Sequence, residues 1–287
     1  MKKITNFGKS IRTKLLNLAQ TCGFSYQILL VRYIQERLLY RLAQSEYRRH
    51  FVLKGGALLY AIQQLEARPT LDLDFMGRNI SHDTNTLKNV FQRIAEIEYP
   101  EDAVTFDSAS IITNEIAINR QYHGVRVQIL AYLDTIRQQI TMDIGFGDII
   151  TPKAQELAYP LSIDGLNQAH IYAYSIESVI AEKFEAMISL GEDNSRMKDF
   201  FDVYTLLHRS DVNIPLLEEA IRRTFENRNT LIPPAPVIFS PDFAQSGKRL
   251  TQWRGFLKKI KQNEELPFHE VHEFIRDKLM PLLPPQR

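Results

Sequence analysis

The stretch FVLKGGALLYAIQQLEARPTLDLDFMG, residues 51–77, contains the pattern that predicts the core of the fold. Its first three residues form a short apolar run that predicts a strand, and Gly55 and Gly56 end that strand. A helix follows, and Pro69 lies after its predicted end. Residues 71–76 then alternate apolar and acidic side chains, which is the period of a strand with one dry face and one wet face. This order of strand, turn, helix and acidic strand predicts an α/β core.

Asp72 and Asp74 are the first candidate functional residues, because side chains at positions i and i+2 of a strand point to the same face. Two carboxylates side by side repel each other, so the pair is costly unless a cation lies between them. Hard divalent cations such as Mg²⁺ or Mn²⁺ take oxygen ligands, and pairs of such ions clamp the attacking and leaving oxygens of a displacement. We therefore interpret the pair as a metal site. Taken alone, an Asp-x-Asp triplet is also typical of a solvent-facing strand.

Gly55 and Gly56 give the acidic pair its context. Glycine lets the backbone approach a phosphate closely, and the N-terminus of the following helix offers unpaired N–H groups and the positive end of the helix dipole. A Gly-Gly turn alone is more often no more than a turn. Because two carboxylates follow one helix later, the combination predicts an anion site beside a metal site.

Asp143, in the segment ITMDIGFGD, is a candidate third carboxylate. It lies at the end of a predicted strand, and we expect that strand to be an antiparallel neighbour of the strand that carries Asp72. Asp143 would then ligate a metal or accept the proton of an attacking hydroxyl. The alternative is a strand-end aspartate that caps the following turn, a role that suits Asp148 better.

The candidate cationic residues lie in predicted helices of the C-terminal half. Lys183 lies in the middle of one helix, and Arg196, Lys198 and Asp199 open the next. Three cations would suit a triphosphate, because arginine forms bidentate contacts and lysine adds a point charge. Taken alone, such runs are usually solvated helix faces with local ion pairs.

Hydrophobic spacing predicts the remaining helices and strands. Residues 9–48 are predicted to be helical, with a break at Gly23 and one apolar stripe. Further helices are predicted over 86–98, 175–190, 197–208, 215–227, 248–262 and 268–280, and strands over 103–106, 110–118, 124–132 and 138–145, with a hairpin turn at 122–124. After Pro160 we expect only helices. The sequence therefore predicts an α/β domain over 1–160 and a helical domain over 161–287.

Composition limits the class of protein. The 287 residues are 44% hydrophobic and 24% charged, which suits two modest folded domains. The net charge of +1 favours neither nucleic acid nor a membrane, so a nucleic-acid site must be a local patch. Cys22 is the single cysteine, which excludes an internal disulfide and cysteine-rich zinc sites. Without a signal-type segment or an apolar run of membrane-spanning length, we expect a soluble, cytoplasmic protein with no membrane partner.

The order of the motifs resembles that of one family. A strand, Gly-Gly and a helix precede Arg-x-Thr-x-Asp-x-Asp at 68–74, and three further blocks follow: Asp-Ile-Gly-x-Gly-Asp at 143–148, Ala-Glu-Lys at 181–183 and Arg-x-Lys-Asp-x-x-Asp at 196–202. This order is similar to that of the AbiEii-type nucleotidyltransferase toxins of type IV toxin–antitoxin and abortive-infection systems, in the polymerase-β-like superfamily. The resemblance spans roughly residues 51–207. It implies an α+β fold, with a nucleotidyltransferase-like mixed sheet, flanking helices and a C-terminal helical bundle that completes the active site.

The resemblance implies roles for the residues of the N-terminal half. Gly55 and Gly56 would hold the nucleotide phosphates. Asp72 and Asp74 would bind the metal ions, and Asp143 stands in the place of the third carboxylate.

The remaining blocks imply further roles. Lys183 and Asp199 would be required for activity, while Arg68 and Thr70 would support the geometry of the first block. Ala57 departs from the family pattern, because many relatives carry Thr or Ser after the Gly pair. Alanine offers no hydroxyl to a phosphate, whereas the backbone contacts remain. The candidate nucleotide-binding residues are Gly55, Gly56, Arg68, Lys183, Arg196 and Lys198.

The chemistry that these residues suit is attack of a hydroxyl on the α-phosphate of a nucleoside triphosphate, with release of pyrophosphate. By resemblance, the acceptor is the 3′ end of a tRNA, the consequence is arrested translation, and a cognate antitoxin neutralises the protein. The basic segment 248–261, which includes Trp253 and Phe256, would contact the RNA backbone. Its other interpretation is an ordinary amphipathic helix with a charged outer face.

Three rival functions remain open on the residues alone. The first is another metal enzyme, a nuclease or a glycosyltransferase with an Asp-x-Asp site, but neither predicts Gly-Gly one helix before the acids. The second is an inactive nucleotide-binding module that acts by interaction. The presence of all the acidic residues of the motifs argues against it. The third is a nucleotidyltransferase that acts on a protein or on a small molecule such as an aminoglycoside.

Overall fold

The computed structural model describes residues 6–117, 123–262 and 265–284. The chain forms two compact units: Met1–Gly147 with Gln155–Ala173, and Asp148–Ala154 with Tyr174–Arg287. The sequence predicts a single division after residue 160. In the structure the division is discontinuous, because residues 155–173 contribute strands to the sheet of the first unit.

Two helices open the first unit. Helix α1 spans Phe7–Cys22 and helix α2 spans Tyr26–Gln44, and the side chains of Asn6 and Ser25 cap their N-termini. The predicted break at Gly23 is confirmed: this residue ends α1 with φ of 76°. The single apolar stripe predicted for α2 is wrong. Residues 29–42 are all buried, and they include Arg32, Glu36, Arg37 and Arg41.

The stretch 51–77 forms the elements that its pattern predicts. Strand β1 spans Phe51–Lys54, helix α3 spans Gly55–Gln63 and strand β2 spans Asp72–Gly77. The later elements of this unit are α4 (Thr84–Ala95), β3 (Val104–Ala117), β4 (His123–Leu133), β5 (Ile136–Gly145), β6 (Gln155–Ala158) and β7 (His170–Ala173). The two strands predicted at 103–106 and 110–118 are one strand, β3, with an irregularity between Asp107 and Ile112.

Within the described residues, seven strands form one mixed sheet in the order β3-β4-β5-β2-β1-β7-β6. One face is apolar: Leu53, Phe75, Ile144 and Val125 lie side by side on four adjacent strands and are buried. Helix α4 helps to cover this region, with the Phe91 and Phe51 rings 5.1 Å apart. Residue 122 of the predicted hairpin turn lies outside the described residues, and His123 and Gly124 already belong to β4.

Strand β5 is parallel to β2, and the antiparallel pairing predicted for Asp143 is wrong. The helix α4 returns the chain between β2 and β3, as parallel connections require. Strands β4 and β5 then reverse direction twice, since both β3–β4 and β4–β5 pair antiparallel. These two reversals bring β5 back to the direction of β2.

The prediction that only helices follow Pro160 is also wrong. Strand β7 pairs in parallel with β1 and antiparallel with β6. Ile171 and Ala173 of β7 are buried, whereas β6 lies at the edge of the sheet and is largely exposed. A strand of four residues is too short to give a clear period, so these two strands escape detection from the sequence.

The second unit is helical. Its helices are α5 (Ile176–Leu190), α6 (Met197–Arg209), α7 (Ile214–Asn227), α8 (Pro241–Gln245), α9 (Gly247–Ile260) and α10 (Phe268–Leu279). Ser175 caps α5 as predicted. Arg228 lies after α7 and holds the segment 148–154 in this unit, since it donates to Asp148 at 2.8 Å and to Glu185 at 2.6 Å. In the part of the chain that the structure describes, no helix is both long and apolar enough to cross a membrane.

Candidate active site

The turn between β1 and α3 has no space for side chains on its glycines. Gly55 has φ of 67°, in the left-handed region that favours glycine. A Cβ at Gly55 would overlap the carboxylate of Asp74, and a Cβ at Gly56 would lie 2.7 Å from Oγ1 of Thr70. Helix α3 begins at Gly55, so its N-terminal backbone lies directly against the acidic strand.

Substitution of Gly55 by alanine tests this close approach. We expect Gly55→Ala to cost about 1–3 kcal/mol of stability, from backbone strain and displacement of Asp74, and to remove most nucleotide transfer. Gly165→Ala is the matched control, because Gly165 has φ of 90° but nothing lies within 4 Å of its added Cβ. Thermal unfolding and transfer assays of both variants provide the comparison. Equal loss of activity in the two would show that the contact with Asp74 is unimportant.

Charged residues from four strands form one row across the sheet. Asp74 on β2 is in register with Lys54 on β1 and with Asp143 on β5. Asp143 is in register with Arg126 on β4. Asp72 lies two residues before Asp74 and therefore on the same face. The structure thus brings the three predicted carboxylates together on the face opposite the buried apolar residues.

Arg126 and Asp143 form a bidentate ion pair. Nε of Arg126 donates to Oδ1 of Asp143 and Nη2 donates to Oδ2, both at 2.8 Å. The pKa of Arg126 is raised, first by its hydrogen bond to Asp143 and the charge of that residue, and further by the charges of Asp72 and Asp74. The three carboxylates therefore act on one guanidinium.

Arg126 was not predicted from the sequence. The alternation along β4 contains the signal, because Val125 and Val127 are apolar and Arg126 between them must face the other side. Its partner, however, depends on the register between β4 and β5, which the sequence of one strand does not specify.

The donor set of the row fits a hard divalent cation. Asp72, Asp74 and Asp143 offer only carboxylate oxygens, the ligands that Mg²⁺ and Mn²⁺ prefer. Within residues 6–117, 123–262 and 265–284, no group of three or more His, Cys, Asp or Glu side chains is already arranged to hold a metal ion. Both oxygens of Asp143 accept hydrogen bonds from Arg126.

Arg68 and Thr70 lie in the connection that leads into β2. Oγ1 of Thr70 is 3.4 Å from the backbone oxygen of Asp72 and packs on Gly56. Thr70 therefore contacts both the glycine turn and the acidic strand, as a supporting residue would. Arg68 is partly buried, and its role in nucleotide binding stays a prediction.

A buried ion cluster joins α5 and α6 in the second unit. Nζ of Lys183 donates to Asp199 at 2.7 Å and to Asp202 at 2.8 Å. The side chains of Asp199 and Asp202 are only 1% and 2% exposed, and that of Lys183 is 11% exposed. Arg196 completes the cluster, with its Nε 2.6 Å from Oδ2 of Asp199. The structure therefore brings Lys183, Asp199 and Arg196 together.

The solvated-face interpretation is wrong for Lys183 and Asp199, because Asp199 is buried and the side chain of Lys183 is only 11% exposed. Burial alone would raise the pKa of Asp199, but the charges of Lys183 and Arg196 outweigh it, and this pKa is lowered. Asp202, the last residue of the fourth block, is the second carboxylate that Lys183 contacts, and the sequence alone does not assign it a role. Its signal is the spacing from Asp199, because positions i and i+3 of a helix are neighbours.

The basic segment 248–261 divides into a buried part and an exposed part. Trp253 is 2% exposed and donates from its indole nitrogen to the backbone of Leu266 at 2.7 Å. Arg249 is also buried and donates to the backbone of Glu192. These two residues belong to the core of the unit and not to an RNA surface. The exposed basic residues are Lys248, Arg254, Lys258, Lys259 and Lys261, and Lys198 on α6 is exposed as well.

A comparison with protein-family models finds one match. The model described as nucleotidyl transferase AbiEii toxin, type IV TA system, matches residues 37–276. A comparison with the sequences of curated proteins finds no significant match.

Solved structures share the fold. MenT4, a nucleotidyltransferase toxin from Mycobacterium tuberculosis H37Rv, is 14% identical with a TM-score of 0.55, over 94% of this chain and 99% of that one. JHP933 from Helicobacter pylori is 17% identical with a TM-score of 0.53, over 90% and 95% of the two chains. At these identities the likeness concerns the fold, and it confirms the nucleotidyltransferase-like α+β architecture.

Proposed function

Because this chain belongs to the AbiEii nucleotidyltransferase toxin family of type IV toxin–antitoxin systems, we propose that it transfers a nucleoside monophosphate from a nucleoside triphosphate to a hydroxyl group, with Asp72 and Asp74 as metal ligands. The observation that carries this proposal is the row of Asp74 and Asp143, which lies against the Gly55 turn. Glycine backbone and helix N-terminus suit phosphate, and the carboxylates suit cations.

The reaction forms a bond between the acceptor oxygen and the α-phosphorus, and it breaks the bond from that phosphorus to the bridging oxygen of pyrophosphate. Asp72 and Asp74 would hold divalent cations, which would stabilise the charge on the attacking and leaving oxygens. Asp143 accepts the proton of the hydroxyl or serves as a further ligand. The backbone N–H groups at the start of α3 bind phosphate oxygens, as the family resemblance implies for Gly55 and Gly56.

The family also implies the acceptor and the partner. We propose that the acceptor is the 3′ end of a tRNA, whose terminal hydroxyl can be held in line with the α-phosphate. The exposed lysines of α9 support an RNA acceptor, since they form a local basic surface on a chain of net charge +1. The type IV family implies a cognate antitoxin as partner.

Transfer from labelled nucleotides tests the function directly. Purified protein with Mg²⁺ and total RNA is incubated with each α-labelled nucleoside triphosphate in turn. We expect label in tRNA, no label when the terminal 3′-hydroxyl is blocked, and no label when the bond between the α- and β-phosphates is not hydrolysable. Lys183→Arg should lose transfer while remaining folded, because arginine keeps the positive charge beside Asp199 and Asp202 but not the compact ammonium that the family resemblance implies for activity. Label that appears only in protein would overturn the tRNA acceptor, and label in nothing would overturn the transferase proposal.

The lysines of α9 provide a separate test of RNA binding. We expect Lys258→Ser/Lys259→Ser to weaken tRNA binding. The slope of log K against the logarithm of the salt concentration should become less steep by roughly one to two, because two phosphate contacts are lost. Lys9→Ser/Lys14→Ser removes the same charge from exposed positions on α1 and serves as control. Filter binding across a salt series measures both. If the two double variants behave alike, α9 is not an RNA surface.

A further inference from the structure

Asp143 forms a bidentate ion pair with Arg126. Both of its oxygens accept hydrogen bonds from the guanidinium, at 2.8 Å each. A carboxylate in a bidentate pair with arginine has its best-aligned lone pairs occupied. A metal ion that approaches Asp143 therefore competes with Arg126 for these lone pairs.

The charges of the row also favour competition between a metal ion and Arg126. Asp72, Asp74 and Asp143 contribute three negative charges, and Lys54 and Arg126 contribute two positive charges across the four strands. The three carboxylates lie on one face of the sheet, and their negative charges stabilise the guanidinium of Arg126. A divalent cation at these carboxylates would weaken that stabilisation, because like charges repel. The cation and the guanidinium are thus alternatives at Asp143.

The surroundings of the pair allow the guanidinium to move while the carboxylate stays in place. The Arg126 side chain is 42% exposed and that of Asp143 is 20% exposed. Strands β4 and β5 each have ladder partners on both sides, so their backbones are fixed. A long exposed arginine side chain can change rotamer without disturbing the sheet.

We propose that Arg126 is a positioning residue that competes with the metal ion for Asp143 and thereby keeps metal affinity low in the nucleotide-free protein. This inference rests on the proposed function, since it assigns the metal to the same carboxylates. In the absence of metal, Arg126 holds the third carboxylate in a fixed rotamer beside Asp74. When the guanidinium leaves, Asp143 becomes a ligand or a proton acceptor.

Binding of Mn²⁺ alone to the nucleotide-free protein tests the competition. Free Mn²⁺ is measured by electron paramagnetic resonance with wild type, Arg126→Met, Arg126→Lys and Arg137→Met. We expect Arg126→Met to bind Mn²⁺ about tenfold more tightly or better, because a charge-assisted hydrogen-bonded pair no longer has to be broken. Arg126→Lys should gain less, since lysine keeps the charge but not the bidentate geometry.

Arg137 is the matched control because it carries the same charge on the neighbouring strand. It is exposed on β5, six residues before Asp143, and that spacing corresponds to about 20 Å along the strand. This distance exceeds the Debye length of about 8–10 Å at moderate salt. Arg137→Met should therefore bind Mn²⁺ as wild type does. Adding Asp74→Asn to Arg126→Met should remove the gain and so assign it to the row.

Circular dichroism checks that both variants are folded. If folded Arg126→Met binds Mn²⁺ no more tightly than Arg137→Met does, Arg126 does not compete with the metal ion. A gain that persists in the double variant would overturn its assignment to this site. The outcome is separable from the transfer assay. If the wild type transfers nucleotide but Arg126→Met does not bind Mn²⁺ more tightly, only the role of Arg126 is wrong. If Arg126→Met binds Mn²⁺ more tightly but the wild type shows no transfer, only the transferase chemistry is wrong.

Discussion

Asp74→Asn is expected to lower nucleotide transfer more than about 100-fold, because even groups that only support a metal ligand are worth about 10–100-fold. The variant keeps the shape of the side chain but loses a negative charge beside Asp143. The melting temperature should change little, since the lost repulsion between neighbouring carboxylates is offset by the lost attraction to the cations of the row. Steady-state transfer in Mg²⁺ and thermal unfolding measure the two effects.

Glu115→Gln is the control for this loss of charge, because Glu115 is exposed on β3 and lies outside the row. It should retain full transfer. Asp74→Asn with undiminished activity in Mg²⁺ would remove the metal-binding role of this residue and with it the central assignment of the site.

Two buried arginines of α2 are expected to have different effects on stability when they are replaced by methionine. Arg41 forms hydrogen bonds to Asp102, at 3.1 Å from Nη2, and to the backbone oxygen of Val104 at 3.0 Å. Asp102 is fully buried. Arg41→Met should cost roughly 3–5 kcal/mol, because it breaks a buried ion pair and leaves the carboxylate without its main partner.

Arg32 lacks such a partner. Its three guanidinium nitrogens are buried, and among the described residues none of them has a hydrogen-bond acceptor. The guanidinium lies between the rings of Phe24 and Tyr60, at 4.4 and 4.1 Å, and burial lowers the pKa of Arg32. The cation–π contacts contribute about 0.5–2 kcal/mol, and the unpaired donors cost about 1–3 kcal/mol each.

Arg32→Met is therefore expected to leave the free energy of unfolding unchanged or to raise it. Urea unfolding followed by far-ultraviolet circular dichroism compares the two variants under one condition. Because both substitutions remove one arginine from the same buried helix, equal destabilisation would show that the partners of the guanidinium do not decide the effect.

Local patterns predict much of this fold. The alternation of LDLDFM gives strand β2 with its two acids on one face, and the cap residue Ser175 gives the start of α5. Gly55 and Gly56 lie at the turn where the sequence places them. Each of these features depends on residues that are neighbours in the chain, so a single sequence contains the whole signal.

Features that depend on distant partners are the ones that the sequence misses. The pairing of Arg126 with Asp143 depends on strand register, and the parallel direction of β5 depends on all the intervening elements. The burial of Arg41 requires Asp102, 61 residues away. A charged residue in a helix is predicted to face solvent unless its distant partner is known.

The pairing of β1 with β7 has a consequence for folding during synthesis. Val52 is in register with Tyr172, about 120 positions later. Protein synthesis proceeds at about 5–20 residues per second, so β7 is synthesised roughly 6–24 s after β1. Until then the backbone groups on one edge of β1 have no strand to pair with. Lys54 and the glycine turn then follow a strand that is hydrogen-bonded on one side only. A nascent chain that stops before residue 170 therefore carries the acidic strand without a complete sheet, and we expect enzymatic competence to arise late in translation.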